Sequence, residues 1–449
     1  MNRKKVLALL VIGASVLGLI FAAYSTYDYG QHLDRQIHAI HCSFIPGASV
    51  STEADNPCKA ALFSPYSALF RESYWGGVPI SLFALGAFCF FGGFGLYLFL
   101  AGDRAPRKAH LFLAGAGITP FLASAVMFFI SLTRLHEFCK ICVGIYFSST
   151  VLAIAAYFAL REYLDAGKAP KKSAVVKEND ATTTVVPTGD EDYAVKQGKP
   201  KSAMGALEAA EAKDAGSASQ PEGPNWLPAA MLVALGVAAI LPAIVYVNSL
   251  PDYRSYLTSC GSITVKTEAH NALLKIPTEH PVQAVTLFED PLCPTCRAFH
   301  ERLVDEGIFD RLDVTMVMFP LDSDCNWMLD RSLHPGACEV AKSIICGDAR
   351  ARAMLEWSYD NQDDLRELGK TNPAALKKKI SDKWGAEVVA CADDAKTKIR
   401  LNQMLHYASD NHIPVSTPQM FLGEKRICDE DTDLGLKYTL AQLAPEVLK

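Results

Sequence analysis

Two cysteine pairs in the sequence have the spacing that thiol–disulfide exchange requires. In Cys139-Lys-Ile-Cys142 and Cys293-Pro-Thr-Cys296, the two intervening residues let both sulfurs meet across one helical turn. We expect each pair to open a helix, where free N–H groups and the positive end of the helix dipole stabilise a thiolate and lower its pKa. Cys293 is then the exposed nucleophile and Cys296 closes the ring. A CxxC alone is equally compatible with zinc, but the placement of Cys293 after a strand favours redox chemistry, so we predict no metal site.

Cys42 and Cys58 form a third candidate pair, in a loop that contains Ser, Gly and Pro. An oxidising compartment would permit a structural disulfide there. The alternative is a shuttle disulfide, which must be mobile and open to exchange with thiolates on both sides. The residues alone leave both alternatives open.

Long apolar stretches indicate that these cysteines belong to a membrane protein. Five stretches carry few or no ionisable groups and are long enough to cross a bilayer, which takes about 20 apolar residues. They are residues 6–24, 78–101, 110–132, 139–160 and 226–247. Basic residues flank alternate ends, so the positive-inside rule puts the loops 25–77 and 133–138 outside. Because five is odd, the C-terminal part is also outside, which predicts a multi-pass membrane protein with an extracytoplasmic C-terminal domain.

Composition divides the rest of the chain. Residues 161–224 are rich in Ala, Lys, Glu, Thr, Pro and Ser without an apolar period, which indicates a disordered cytoplasmic linker that lets the fifth span dock beside the first. The predicted domains are 1–160 with four spans, this linker, the fifth span at 225–250 and a globular domain at 251–449. The 43 basic and 49 acidic residues give a net charge of −6, which argues against nucleic-acid binding.

The last domain shows the element order of an α/β fold. Strand patterns at 282–288, 314–319 and 419–422 are separated by a helix at 294–303 and a mostly helical block at 336–410.

Within that domain, FEDPLCPTCRAF at residues 288–299 resembles the active-site segment of the thioredoxin fold in its DsbA-like and DsbG-like branch. Thr417-Pro418 matches the cis-proline loop of that family, which implies that both residues pair with the substrate backbone. The resemblance also implies a helical insertion between the halves of the fold. Thr295 stands where the strongly oxidising members of that family have a histidine, and Thr417 is more typical of the isomerase-like members. These two departures leave open whether the domain acts as an oxidase or as an isomerase.

The remaining cysteines suggest structural roles. Cys325 and Cys338 flank a segment that contains His334, and we predict a structural disulfide between them. Four further cysteines could supply one or two more disulfides, but their pairing cannot be deduced from sequence. Cys89, inside the second stretch, is expected to be inert packing, and His300 is expected at the surface.

Residues 1–160 resemble the vitamin K epoxide reductase family. The resemblance rests on the order and spacing of the loop cysteines, SPYSALF at 64–70, GVPIS at 77–81 and the pair at 139–142. It implies a four-helix bundle with a quinone, ubiquinone or menaquinone, bound near Cys142, and Ser64 and Tyr146 as its hydrogen-bond partners. Residues 71–76 look like an insertion relative to the common bacterial pattern.

The predicted fold is thus a membrane four-helix bundle plus a fifth transmembrane helix, followed by a thioredoxin-like domain with a helical insertion. The resemblances imply a multi-pass protein of the bacterial inner membrane whose C-terminal domain is periplasmic. The predicted function is a quinone-linked thiol oxidase that makes disulfides in exported proteins, with lipid, quinone and dithiol proteins as partners and no oligomeric state implied. Electrons would pass from substrate to Cys293/Cys296, then to Cys42/Cys58, Cys139/Cys142 and quinone. One alternative is a conduit that supplies reductant to an isomerase domain, and another is a zinc- or disulfide-rich scaffold without turnover.

Overall fold

Long apolar helices dominate the first half of the chain. The structure is a computed structural model that describes residues 3–33, 40–41, 50–51, 57–135, 139–168, 221–257, 260–428 and 432–449. Within these ranges, five helical segments are long and apolar enough to cross a membrane. The helices of this half are α1 (Arg3–Leu33), α2 (Pro57–Leu62), α3 (Ile80–Ala101), α4 (Arg107–Ala116), α5 (Thr119–Ile130), α6 (Lys140–Lys168) and α7 (Leu227–Ser249), with α4 and α5 forming one broken span. The chain therefore has the architecture of a multi-pass membrane protein.

Two of these helices differ from the sequence prediction. The third span is interrupted after α4, where the Gly117 N–H closes the helix on the Leu113 carbonyl at 2.9 Å and α5 starts afresh at Thr119. Pro120 fits this restart because a proline lacks the N–H group that a continuous helix would use. The fourth helix runs on to Lys168, so residues 161–168 are helical and not linker. Residues 169–220 of the predicted linker lie outside the described residues.

The helices pack as a bundle around α1 and α6. Helix α1 lies against α3 and α6, α4 and α5 lie against α6, and α7 lies against α3 and α4. The prediction that the fifth span docks beside the first is therefore wrong. Gly86 on α3 explains the observed position of α7, because a Cβ atom there would lie 2.0 Å from the Ala238 carbonyl oxygen. Small residues let membrane helices approach this closely.

The two ends of the bundle differ in charge. At one end Lys4 pairs with Asp103 at 3.0 Å, and Lys108 donates to the Gly223 carbonyl at 2.9 Å. At the other end Thr26 donates to Ser81 at 2.8 Å. Two short antiparallel strand pairs lie near this second end. They are β1 (Ile40–His41) with β2 (Val50–Ser51), and β3 (Ala68–Leu69) with β4 (Val78–Pro79). The basic residues that suggested one membrane side thus cluster at one end of the bundle.

The C-terminal domain is built on a five-stranded sheet. Its strands are β5 (Leu274–Ile276), β6 (Gln283–Glu289), β7 (Leu312–Met318), β8 (Gln419–Leu422) and β9 (Lys425–Arg426), in the order β5-β7-β6-β8-β9. The β6–β7 pair is parallel and the other pairs are antiparallel. Helix α8 (Pro294–Asp305) connects β6 to β7. This is the predicted thioredoxin fold; the short edge strands β5 and β9 were missed because two or three residues give no readable alternation.

A helical block is inserted between β7 and β8. It consists of α9 (Ala337–Ile345), α10 (Ala351–Asp360), α11 (Gln362–Thr371), α12 (Pro373–Trp384), α13 (Ala386–Asp393) and α14 (Ala395–Asp410), and α15 (Leu436–Leu443) follows the sheet. Three disulfides hold this domain: Cys325–Cys338, Cys260–Cys428 and Cys346–Cys391. The Cys260–Cys428 disulfide joins residues that are 168 positions apart, so it links the start of the domain to the segment after β9.

Candidate redox site

The chain places Cys293 at the N-terminus of α8. It is the residue before the first helical turn, in extended conformation, and Pro294 occupies the first helical position, where its fixed φ suits a helix start. The Cys293 side chain is nearly buried and that of Cys296 is completely buried. The Cys293 sulfur lies 2.9 Å from the Thr295 hydroxyl and 3.6 Å from the Thr417 carbonyl oxygen. The cis peptide Thr417-Pro418 therefore faces the CxxC pair.

The two sulfurs differ strongly in acidity. Contact with Cys296 and hydrogen bonds to Thr295 and Thr417 outweigh burial and lower the pKa of Cys293 to about 6. Burial, followed by the contact with Cys293, raises the pKa of Cys296 well above its usual value. At neutral pH, Cys293 is therefore the thiolate and Cys296 the thiol that closes the disulfide.

The two acidic residues three and four positions before Cys293 are completely buried. Glu289 accepts a hydrogen bond from the Tyr359 hydroxyl at 2.7 Å, and burial raises the pKa of this carboxyl group to about 8. Asp290 is hydrogen-bonded to His334 at 2.7 Å. Sequence reasoning gave neither acid a role, because it could not show that both face inward.

A second sulfur cluster lies at the end of the helical bundle opposite Lys4 and Lys108. Cys58 is on α2, completely buried and disulfide-bonded, while Cys42 lies outside the described residues. Cys139 directly precedes α6, and the backbone N–H of Cys142 donates to its sulfur at 3.2 Å. Contact with Cys142, opposed by burial, lowers the pKa of Cys139. Cys58 and Cys139 share one apolar cluster against which Cys142 also packs, so the loop centre adjoins the start of α6.

The two residues predicted to hydrogen-bond a quinone, Ser64 and Tyr146, lie in different surroundings. Ser64 is buried and its hydroxyl donates to the Ala61 carbonyl at 3.0 Å. Tyr146 lies one turn past Cys142, and its ring meets that of Phe128 on α5 edge-on at 5.9 Å. The same helix carries the exposed apolar side chains Val126 and Phe129. An apolar surface with a phenol hydroxyl suits a flat apolar molecule with polar oxygens. The residues near Cys142 therefore fit a quinone.

The C-terminal domain docks on the bundle through the far end of α8. Arg71 and Glu306, both nearly buried, form an ion pair at 2.5 Å, and Arg302 donates to the Phe63 carbonyl at 2.9 Å. The Trp75 and Tyr253 rings stack with their centres 4.4 Å apart. Residues 71–76, which look like an insertion in the sequence, thus provide much of this interface.

The docked arrangement separates the redox centres. Helix α8 has 12 residues, which makes it about 18 Å long. Cys293 is at its N-terminus, whereas Arg302 and Glu306 contact the bundle at its other end. Among the described residues, the hydrogen-bond partners of the Cys293 sulfur all belong to its own domain. Cys293 therefore lies at the end of α8 opposite the contacts that Arg302 and Glu306 make with the bundle.

Two predictions about single residues are wrong. His300 is buried against the Phe309 and Tyr359 rings, not at the surface, and burial lowers its pKa to about 4, so it is neutral at pH 7. Cys89 is exposed on the outer face of α3 and is not packed inside the bundle. His300 contacts rings from other elements, and Cys89 lies on a helix that is apolar on all sides, so the local sequence does not specify which way either side chain faces. Among the described residues, no three His, Cys, Asp or Glu side chains are grouped to hold a metal ion.

Comparison with known proteins gives a family match for the N-terminal part of the chain. Residues 9–157 match the family described as "Vitamin K epoxide reductase family". No curated protein matches the chain. One similar solved structure is the oxidoreductase NmDsbA1 from N. meningitidis, with 18% identity, 39% of this chain and 91% of that chain covered, and a TM-score of 0.26. Another is reduced DsbA1 from Neisseria meningitidis, with 19% identity, 39% and 92% covered, and a TM-score of 0.26. Residues 9–157 are thus similar to the vitamin K epoxide reductase family, and the C-terminal domain has the thioredoxin-like sheet and helices described above.

Proposed function

We propose that the protein is a quinone-linked thiol oxidase that forms disulfides in exported proteins. One observation carries the proposal: the Cys58 disulfide and the Cys139–Cys142 pair share a buried cluster at the end of the bundle on which the thioredoxin-fold domain rests. Three redox centres then lie on one side of the membrane. The basic opposite end of the bundle supports a cytoplasmic location for that end and a periplasmic location for all three centres.

Substrate oxidation starts at Cys293. A substrate thiolate attacks this sulfur in the Cys293–Cys296 disulfide, forms a mixed disulfide and releases the Cys296 thiolate, which takes up a proton. The second substrate thiol then loses its proton and displaces Cys293 as a thiolate. The substrate thus loses two electrons and two protons; the CxxC gains both electrons and the one proton on Cys296, and the other proton goes to solvent. The low pKa of Cys293 stabilises the reduced pair and makes its disulfide oxidising. This supports the oxidase over the reductant conduit that Thr417 suggested.

The electrons then move toward the membrane by the same chemistry. The Cys293 thiolate attacks a disulfide that we assign to Cys42 and Cys58, and the reduced loop pair passes two electrons through Cys58 to an oxidised Cys139–Cys142 pair. A bound quinone would accept two electrons and two protons from that pair. Tyr146 would donate a hydrogen bond to it, and Ser64 would do so after releasing the Ala61 carbonyl.

Transfer within one chain requires the docked domain to leave its interface. The domain rests on the bundle by the end of α8 opposite Cys293, so Cys293 reaches the loop only after the domain is released and turned. Helix α7 keeps the released domain near the membrane, with an effective concentration on the order of millimolar. The docked arrangement then corresponds to the state that receives substrate.

Quinone reduction by the purified full chain tests this proposal. A reduced substrate protein should drive quinone reduction, and Cys142→Ser should abolish it with every electron donor. Cys293→Ser should abolish the reaction driven by a protein substrate but spare the one driven by a small dithiol that reaches the loop directly. Cys89→Ser, which removes an exposed cysteine outside the route, is the control. Loss of the small-dithiol reaction in Cys293→Ser would show that the order of centres is wrong.

A further inference from the structure

Asp290 is built into the turn that presents both active-site sulfurs. Its backbone carbonyl accepts from the Cys293 N–H at 3.1 Å, and its own N–H donates to the Cys296 sulfur at 3.5 Å. Its carboxylate accepts from the backbone N–H groups of Leu292 and Leu321, both at 2.7 Å. The Asp290 carboxylate has no exposed surface. A buried negative charge therefore lies beside a cysteine that must itself become negative.

His334 supplies the third partner of this carboxylate. Its Nδ1 atom lies 2.7 Å from the Asp290 Oδ2 atom, although 44 residues separate the two in the chain. Protonated, the imidazole makes the pair neutral overall. Neutral, it leaves the charge of Asp290 uncompensated beside Cys293.

The loop that carries His334 is fixed independently of the active site. The His334 N–H donates to the Leu321 carbonyl at 3.0 Å, and the Cys325–Cys338 disulfide closes the loop around it. The Asp322 carboxylate accepts from the N–H groups of Gly336 at 2.9 Å and Cys338 at 3.2 Å. The imidazole is therefore held at Asp290 by a loop with its own supports.

The charges around His334 favour its protonated form. Burial lowers the pKa of His334, but the hydrogen bond to Asp290 and the charges of Asp290 and Cys293 outweigh it, so the pKa is raised. Arg366 on α11 is the opposing charge. Contacts with Cys296, Thr295 and Thr417 lower the pKa of Cys293 against two opposing effects, burial first and then the charge of Asp290.

We propose that His334 is a positioning residue for Cys293: as an imidazolium it holds and neutralises Asp290, so that the Cys293 thiolate can form next to a buried carboxylate. The active-site dipeptide has Thr295 and no histidine, and the cation is delivered instead from a distant loop. The inference rests on the proposed role of Cys293 as the thiol that meets substrate.

The pH dependence of Cys293 alkylation tests the inference. Iodoacetamide is applied to the reduced full-length protein, and modification of the Cys293 peptide is quantified by mass spectrometry. His334→Gln keeps a hydrogen-bonding side chain but removes the charge, so the pKa of Cys293 should rise by about one unit, and alkylation at pH 6 should fall about fivefold. The plateau rate above pH 9 should not change, because Cys293 is then fully ionised in both proteins.

Two further variants separate charge from structure. Asp290→Asn combined with His334→Gln removes both charges, and the pKa of Cys293 should return to the wild-type value or below it. His406→Gln changes an exposed histidine that stacks on Trp327 and should leave the profile unchanged. A raised pKa in the double variant, an unchanged profile in His334→Gln, or a lowered plateau would each overturn the inference. Because alkylation needs neither quinone nor the loop cysteines, failure of the proposed electron route would leave this result intact.

Discussion

Glu289 makes the thioredoxin-fold domain sensitive to alkaline pH. Burial raises the pKa of this carboxyl group to about 8, far above its value in an unfolded chain. Between those two values the unfolded state binds fewer protons than the folded state, so the free energy of unfolding falls as pH rises through this window. A neutral isostere removes this dependence.

We therefore predict that Glu289→Gln stabilises the oxidised protein increasingly as pH rises. The melting temperatures of variant and wild type should nearly coincide at pH 4.5, differ at pH 7 and differ most above pH 8, because the wild type then ionises or unfolds. Intrinsic fluorescence melts in detergent would measure this, with Glu301→Gln as a second carboxyl variant on the same domain. Parallel melting curves across the whole pH range would contradict the prediction.

Single residues show where sequence reasoning succeeded and failed. The CxxC spacing suggested a nucleophile at a helix start, because that inference needs only neighbouring residues, and Cys293 does directly precede α8. His334 was passed over because its partner Asp290 is 44 residues away. The buried state of His300 was missed for the same reason, since Phe309 and Tyr359 come from other elements.

At the scale of helices, Gly86 controls how α7 meets α3. A methyl group there would lie 2.0 Å from the Ala238 carbonyl oxygen, so one helix must move. We predict that Gly86→Ala destabilises the protein by about 1–3 kcal/mol, the usual range for overpacking. Gly93 on the same helix has open space around it, so Gly93→Ala should be neutral or slightly stabilising.

Thermal melts of both glycine variants in detergent provide the measurement. A lower melting temperature in Gly86→Ala with an unchanged or higher one in Gly93→Ala is the expected pair of results. Equal effects of the two substitutions would mean that helix propensity matters and the contact does not.

The elements themselves were predictable to different degrees. Long apolar runs and the strand–helix order could be read directly, because length and periodicity are local properties. The break after α4 and the helical continuation to Lys168 depend on one capping glycine and on polar residues that also suit a linker. The position of α7 against α3 and α4 could not be predicted from the sequence, because it depends on which helix surfaces are complementary in shape.

For the whole molecule, the Arg71–Glu306 pair is the contact that should hold the domain in place. Both side chains are nearly buried, and removing one partner of such a pair typically costs about 3–5 kcal/mol. Arg71→Glu places two carboxylates together and should release the domain. Because we propose that release precedes transfer, quinone reduction driven by a protein substrate should accelerate, whereas reduction driven by a small dithiol should not change.

The reversed pair, Arg71→Glu with Glu306→Arg, should restore docking and the slower rate in part. Limited proteolysis of the segment after α7 would report release independently of activity. A slower protein-driven reaction in Arg71→Glu, with cleavage increased, would mean that docking itself promotes transfer.

Assembly of the two halves was the least predictable level. The sequence indicated that both halves face the same side, and the structure brings Trp75 and Tyr253 together. It did not indicate which end of the domain meets the bundle, because Arg71 and Glu306 are 235 residues apart and each reads as an ordinary surface charge.

Helix α7 lies on the outside of the bundle, and only 6% of its most apolar stretch is buried inside the protein. Because α7 packs on the outside of α3 and α4, helices α1 to α6 form a unit that a separate gene could encode. A cell that expressed the anchored lobe as a second polypeptide would keep the same partners at lower local concentration. Joining the two genes raises the local concentration of one lobe near the other and does not change the chemistry of either.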